Sequence, residues 1–441
     1  MQTYDVLVIG GATSGAYFAK KTAKLGHSVK IIEKLSPEKL GTKMDIVHLT
    51  KTDLATFDIP TVKEGDPEWA FEFTDNGFAS PSNRYRFPVP AETVGLHLHE
   101  YTALMVKEAV EAGAEIEYEA VFKEFIFTDG HISGVRYETP EGEKEISTKV
   151  VVDCSGASAL PRRSLPNGYG IERFKLADDD MFYVILRYAK FEKPQQNTFW
   201  LNTKSWYAPF SMNENEKIIG TGAVCGYERA EAEAAKLDSV TSEGNFELVK
   251  TEKGITPFRR PPYSLVADNF IVAGDSACLT KPDCGEGITS SMVMIDIAVK
   301  VLDEALKKDD LTKESLWEIN RGYNRVQGAD FSLVRAFLTK LIGAVTDDEL
   351  EYLFSQGLIF NSKFLGGEKL TAKDAVQTVT GILTSIPGKY ISAKTIAAAL
   401  SGMKLGIELR TLYINFPKNP AYLPLWSARA EKLWQKVGKV K

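Results

Sequence analysis

The chain has 441 residues, 44% of them hydrophobic and 25% charged, with 53 basic against 59 acidic side chains and a formal net charge of −6. At about 100–200 residues per domain this is length for two or three packed units, and the near-average composition excludes a disordered or fibrous chain. The mixed, slightly acidic charge offers no basic face to a phosphate backbone, so no nucleic acid partner is expected.

No run approaches the ~18 apolar residues of a spanning helix, and the N-terminus enters a strand without a signal-peptide pattern. A cytoplasmic protein with no integral membrane segment is therefore expected. Cys154, Cys225, Cys278 and Cys284 form no Cys-x-x-Cys pair and read as reduced thiols. His97 and His99 would share one strand face in an alternating stretch, but no third ligand lies nearby and no metal site is expected.

In chain order, residues 4–9 form an apolar run ending in Gly10-Gly11. Residues 16–25 follow with helical spacing, and a second run over 29–32 closes at Glu33. This predicts strand, turn, helix, strand. Residues 35–90 break into short pieces rich in Thr, Asp, Pro and Gly, read as loops and short strands. A helix over 100–112 leads into strands at 115–118, 121–127 and 132–137, the last two joined by the Asp129-Gly130 turn. The strand 150–152 runs into Asp153-Cys154-Ser155-Gly156. Alternation with Trp, Tyr and Phe over about 181–225 predicts an antiparallel sheet, followed by a helix over 228–238. The strand 270–273 runs into Gly274-Asp275, and a helix is predicted over 288–306. Beyond Lys307 only helices are expected.

Gly10-Gly11-Ala12-Thr13-Ser14-Gly15 lies between strand and helix, and Glu33 follows about 20 residues on, as a dinucleotide fingerprint requires. Gly10 makes the tight turn, Gly15 allows close helix packing, and the amides at the helix start face an anion. Ala12 stands where a second glycine is usual. A plain glycine-rich turn is the competing structural reading, and strand, helix and distal Glu33 together favour binding. Gly220-Thr221-Gly222 has no helix after it and reads as sheet.

Two further motifs, Asp153-Cys154-Ser155-Gly156-Ala157-Ser158 and Gly274-Asp275 with Pro282-Asp283-Cys284-Gly285-Glu286-Gly287-Ile288, stand in the order and spacing of large FAD-dependent oxidoreductases. With them the sequence resembles the geranylgeranyl reductase family, within the wider group of flavin hydroxylases and halogenases. The resemblance covers roughly residues 1–310. It implies an α/β fold with a Rossmann-type FAD-binding domain (1–80, 92–170 and 264–310) and an antiparallel-sheet substrate domain (81–91 and 171–263), to which the residue pattern adds a helical C-terminal region (311–441).

The resemblance further implies that Glu33, flanked by Lys34, binds the adenosine ribose and that main chain near Val121 approaches the adenine. Ser155 and Gly156 border the cofactor, Gly274 and Asp275 meet the ribityl and pyrophosphate region, and Gly285, Glu286, Gly287 and Ile288 lie by the pyrimidine ring. There the helix start would offer free amides and a partial charge of about +0.5 to reduced flavin. Trp206-Tyr207-Ala208-Pro209-Phe210 looks like a loose, shuffled version of the Tyr-x-Trp-x-Phe-Pro substrate motif. Trp206, Tyr207 and Phe210 are the candidates for an apolar substrate pocket, with ordinary sheet packing as the alternative. The family's Cys-Gly-rich segment is replaced by Gly41-Thr42-Lys43-Met44-Asp45. Cys284 reads as a small buried filler, with an active thiol in the flavin loop as the alternative.

The expected activity is reduction of carbon–carbon double bonds in an apolar, isoprenoid-type substrate, with Tyr207 as proton donor. A bond conjugated to a carbonyl would also need a hydrogen-bond donor at the developing enolate, which no residue pattern identifies. NAD(P)H or a reduced protein carrier would supply electrons. The alternatives are an FAD-dependent hydroxylase and a noncatalytic flavin sensor or lipid carrier. A halogenase is disfavoured by the absence of Trp-x-Trp-x-Ile-Pro. Trp426 and Trp434, with Leu425 and Leu433, form an amphipathic stripe that reads either as packing on the protein itself or as a peripheral membrane contact.

Overall fold

The computed structural model describes residues 3–88, 92–201, 204–241, 246–356, 373, 376, 380, 381, 384 and 390–439. Val6, Leu7 and Val8 are wholly buried, as a strand covered on both faces requires. The strand Thr3–Ile9 pairs in parallel with Val29–Ile32 on one side and Gly142–Asp153 on the other. Glu115–Glu117 and Phe270–Val272 extend this parallel core outward, and Val121–Thr128 and His131–Thr139 form an antiparallel extension on Gly142–Asp153. The helix Thr13–Ala23 crosses between the first two strands and packs on the helices Leu98–Glu111 and Ile288–Lys307.

A second, seven-stranded sheet runs in the order Phe246–Pro257, Met181–Phe191, Glu216–Val224, Ser205–Pro209, Thr198–Trp200, Gly77–Ala79, Arg86–Pro88. Gly77–Ala79 pairs in parallel with Thr198–Trp200, so the chain enters this sheet a few residues before position 81. The helix Tyr227–Thr241 packs on one face through Ala230 and Leu237. A three-stranded sheet, with Thr93–His97 between Ile46–Thr50 and Trp69–Phe73, lies beside it.

The two histidines part company at Leu98, where the helix begins. His97 pairs with Asp45 at 3.0 Å, whereas His99 Nδ1 lies 2.6 Å from the Leu40 carbonyl. No metal-binding cluster occurs among the described residues.

The described residues beyond Lys307 are helical, with Ala329–Ile342, Asp347–Ser355, Ala393–Ile414 and Leu423–Val437 the main elements. Trp426 is 7% exposed and donates its indole N–H to the Leu412 carbonyl at 3.0 Å, while Trp434 donates to the Tyr413 hydroxyl at 3.0 Å. The two tryptophans thus pack inward with Leu433, while Leu425 is exposed. No helix among the described residues is long and apolar enough to cross a membrane.

Candidate active site

Three distant segments meet where the parallel strands end. Gly10 N–H donates to Ile32 O, Cys154 N–H to Ile9 O and Ala273 N–H to Asp153 O, each at 2.9 Å. These bonds align the strand tips, so the loops after them share one crevice at the carboxyl edge of the sheet, the usual ligand position in open α/β sheets. Gly10 has φ of 104°, and a Cβ there would stand 2.3 Å from Cys154 O; one on Gly15 would stand 1.9 Å from Gly10 O. The glycines therefore let turn, helix and neighbouring loop close on each other.

Ala12 adopts an extended conformation before the helix Thr13–Ala23 and makes no side-chain cap, and the first turn carries no acid. Ala12, Thr13 and Ser14 line a cavity of about 730 Å³. Uncapped amides at a helix start attract an anion, so these residues fit a pyrophosphate. On the far side of the turn Glu33, 5% exposed, accepts from Gly11 N–H at 2.7 Å and Leu35 N–H at 2.9 Å. Ala120 N–H donates to Glu33 O at 2.8 Å, which sets Val121 beside Glu33. Lys34 is exposed.

Gly156, Gly274, Asp275, Gly285, Glu286, Gly287 and Ile288 line the same cavity, whereas Ser155 does not. Asp153 is fully buried and accepts the Ser155 and Arg162 amides at 3.0 and 2.8 Å, fixing the loop. Burial pushes the Asp275 carboxyl up to about 6, with Glu286 adding to the shift and Lys43 opposing it. The helix Ile288–Lys307 starts differently from expectation: Glu286 accepts from Thr289 N–H and Oγ1, both at 2.7 Å, so that amide is already capped. Burial disfavours charge on Glu286, but Lys281 and the Thr289 bonds outweigh it and hold its carboxyl below the usual range. Cys284 is exposed and lines the cavity, so it is no buried filler.

The loop meets the second sheet at Thr256 and Thr280, whose hydroxyls lie 3.4 Å apart. Beyond this point the cavity wall is apolar: Met44, Phe182, Val184, Leu186, Trp206 and Ile218. His48 lies in the same wall, with Nε2 3.3 Å from the Pro209 carbonyl, and burial pushes its pKa down to about 4.

Strand alternation separates the predicted substrate residues. Trp206 packs on the cavity side of Ser205–Pro209, with Ile218, Leu186 and Met44. Tyr207 borders the cavity, but its side chain packs with Phe191, Trp200 and Leu237. Its hydroxyl donates to Thr241 Oγ1 at 2.8 Å in a buried pair. The expectation that Tyr207 supplies a proton is corrected by this geometry, since the hydroxyl points to the helix Tyr227–Thr241. Phe210 packs edge-on against Tyr188 at 5.2 Å and does not line the cavity.

Among the lining residues that escaped the sequence reading, two fall at motif positions. Aligned by strand period, Lys204-Ser205-Trp206-Tyr207-Ala208-Pro209 matches Tyr-x-Trp-x-Phe-Pro in register, with Lys204 and Ala208 at the tyrosine and phenylalanine positions. Both line the cavity. The signal was present in the spacing: the tryptophan and proline were in place, and the motif was substituted rather than shuffled.

An FAD dependent oxidoreductase family model matches residues 5–164. The chain is similar to a digeranylgeranylglycerophospholipid reductase of Sulfolobus acidocaldarius, 25% identical over 460 residues covering 99% of this chain and 98% of that protein. Digeranylgeranylglycerophospholipid reductase 2 of Methanopyrus kandleri is 23% identical, covering 89% and 96%. Among solved structures, a geranylgeranyl bacteriochlorophyll reductase-like protein of Thermoplasma acidophilum matches with a TM-score of 0.72 at 19% identity, covering 89% of this chain and 100% of that one. A flavin-dependent brominase matches with 0.67 at 16% identity, over 88% and 100%. Fold and family match together define an FAD-dependent oxidoreductase. Within that class the chain is similar to proteins named as reductases of geranylgeranyl-bearing compounds.

Proposed function

We propose that this chain reduces carbon–carbon double bonds of an isoprenoid-bearing lipid. Bound FAD would supply the hydride-transfer chemistry, and the protein supplies binding, orientation and electrostatics. The observation that carries the reading is continuity: a single cavity joins the Ala12–Ser14 turn, Asp275 and the 282–289 loop to the apolar wall around Trp206. The relatives are named for a lipid with geranylgeranyl chains, and that apolar wall suits the same class here.

In this reading the amides of Ala12, Thr13 and Ser14 hold the pyrophosphate. Glu33 accepts the adenosine ribose hydroxyls on lone pairs left free by the Gly11 and Leu35 amides, since a carboxylate has about four acceptor sites. Main chain by Val121 borders the adenine, Asp275 accepts ribityl hydroxyls, and Gly285 to Ile288 follow the pyrimidine edge. Trp206, Leu186 and Ile218 orient the chain of the lipid and keep water from the reacting bond. NAD(P)H or a reduced protein carrier delivers the electrons.

Anaerobic reduction of the FAD-loaded protein with dithionite, followed by a geranylgeranyl-bearing glycerophospholipid, tests this directly. Return of the oxidised flavin spectrum with a gain of two hydrogens per reduced bond, read by mass spectrometry, is the expected result. Flavin that stays reduced in the presence of lipid would overturn the reading, and so would oxygen consumption coupled to an added hydroxyl group when the same mixture is run in air.

A further inference from the structure

The last helix, Leu423–Val437, has two dissimilar faces. Trp426, Ala430, Leu433 and Val437 form its buried stripe. Leu425, Arg429, Lys432 and Lys436, spaced four, three and four apart, share another stripe that is exposed along its whole length. At 76% Leu425 is the most exposed large apolar side chain among the described residues, and Tyr422, three positions earlier, follows at 65%. Pro420 and Pro424 flank Tyr422 and fix φ on either side of it, and Asn419 caps that turn by accepting from Ala421 N–H at 2.8 Å. Rigid backbone therefore holds both side chains out in water.

The charge of this end runs against the rest of the chain. Residues 393–441 hold nine basic and two acidic side chains in a protein whose net charge is −6. One of those acids, Glu431, is turned inward to Arg260 and Tyr263. Lys418, Arg429, Lys432 and Lys436 are exposed and, among the described residues, make no hydrogen bond or ion pair. The Glu431 bonds, with Trp426 N–H on the Leu412 carbonyl, fasten the helix to the body, so the exposed stripe is a fixed platform.

An apolar pair heading a row of unpaired cations matches one kind of surface. A nucleic acid backbone would satisfy the cations and leave Leu425 and Tyr422 in water. An anionic bilayer takes both: phosphates meet the ammonium and guanidinium groups, the leucine enters the acyl boundary, and the tyrosine suits the headgroup level with its ring apolar and its hydroxyl wet.

We propose that the face formed by Tyr422, Leu425, Arg429, Lys432 and Lys436 docks the protein on an anionic lipid bilayer. The contact is peripheral, reversible and salt-sensitive, because so few apolar groups enter the bilayer and the rest of the attraction is between screened charges. It goes beyond the reduction reaction, since docking needs neither FAD nor turnover, and it brings the protein to the kind of surface in which an isoprenoid-bearing lipid resides.

Co-sedimentation of the full chain with vesicles tests this. At about 0.1 M salt the wild type should pellet with vesicles of mixed phosphatidylglycerol and phosphatidylcholine, stay in solution with phosphatidylcholine alone, and be released at about 0.5 M. Changing Arg429→Gln, Lys432→Gln and Lys436→Gln together should weaken binding at least about tenfold, since each cation beside an anionic surface is worth roughly a fivefold factor. The same change of charge at Lys63, Lys107 and Lys193, exposed on other elements, should alter binding by no more than about twofold. Tyr422→Ser with Leu425→Ser should weaken it severalfold with an unchanged circular dichroism spectrum. Equal loss in the two triple variants, unchanged binding by the double serine variant, or no sedimentation with the anionic vesicles overturns the proposal. A dimer in sedimentation velocity that Leu425→Glu dissociates also overturns it, because the face would then belong to a second copy of the chain. Double-bond reduction is read separately, with the lipid dispersed in detergent, so each of these outcomes leaves the reductase reading standing.

Discussion

Trp206 packs directly on Gly220 of the neighbouring strand: a Cβ at Gly220 would come within 2.0 Å of the indole Cε2. The two residues are opposite each other in the antiparallel pair. The glycine is the recess into which the indole folds, and this explains Gly220 in the Gly-Thr-Gly stretch of the strand. Gly220→Ala should push the indole into the cavity, costing about 1–3 kcal/mol as overpacking does. Urea unfolding would measure that cost, and the altered wall would show as a changed preference between long and short isoprenoid substrates.

The dinucleotide turn offers a more severe test. A methyl group on Gly15 would stand 1.9 Å from the Gly10 carbonyl oxygen, so Gly15→Ala forces helix and turn apart and misaims the amides of Thr13 and Ser14. FAD affinity, followed by quenching of flavin fluorescence, should weaken by more than about tenfold, since each 1.4 kcal/mol is a factor of ten.

Asp275 predicts a pH dependence with a definite sign. Its carboxyl is raised by burial from 3.8 to about 6. An ionised carboxylate accepts hydroxyl donors best, so FAD affinity should decline as pH falls through about 6, and Asp275→Asn should flatten the curve. In the free protein the linkage runs the other way. The folded state holds this proton more tightly than the unfolded state, so the contribution of Asp275 to stability is present below the unfolded pKa and is lost as pH rises through about 6.

Tyr207→Phe separates the sequence reading from the structure. A proton donor would be lost with the hydroxyl, and turnover would collapse. Because that hydroxyl donates to Thr241 at 2.8 Å, the expected result is turnover within about twofold of wild type. The stability loss should be about 1 kcal/mol, the scale of one buried hydrogen bond.

What could be read from sequence divides along the range of the forces involved. The turn 10–15 and Glu33 were legible because strand, turn, helix and acid lie within one short stretch and their spacing is itself the geometry. The sheet over 181–225 was legible as alternation, yet a period of two leaves open which face becomes the cavity. The choice is made by the helix Tyr227–Thr241 covering the Tyr207 side through Leu237, a contact no local pattern records. Lys204 was overlooked for a related reason, because a lysine at a strand end ordinarily reaches solvent. The Trp426 stripe was ambiguous in principle, since an amphipathic helix looks the same whether its apolar face meets lipid or the protein's own interior.

That last helix has a consequence for how the protein is made. Trp426, Leu433 and Val437 belong to the same continuous hydrophobic cluster as Tyr4, Val6 and Leu7 of the first strand. Tyr263 and Arg260 tie it down through Glu431, at 2.7 and 3.4 Å. The side of this cluster beside Tyr263, Tyr413 and Phe416 is therefore open until that helix arrives. On the ribosome, where synthesis at about 5–20 residues per second lets N-terminal segments fold first, this side of the core would stay exposed to chaperones until residue 437 has left the exit tunnel.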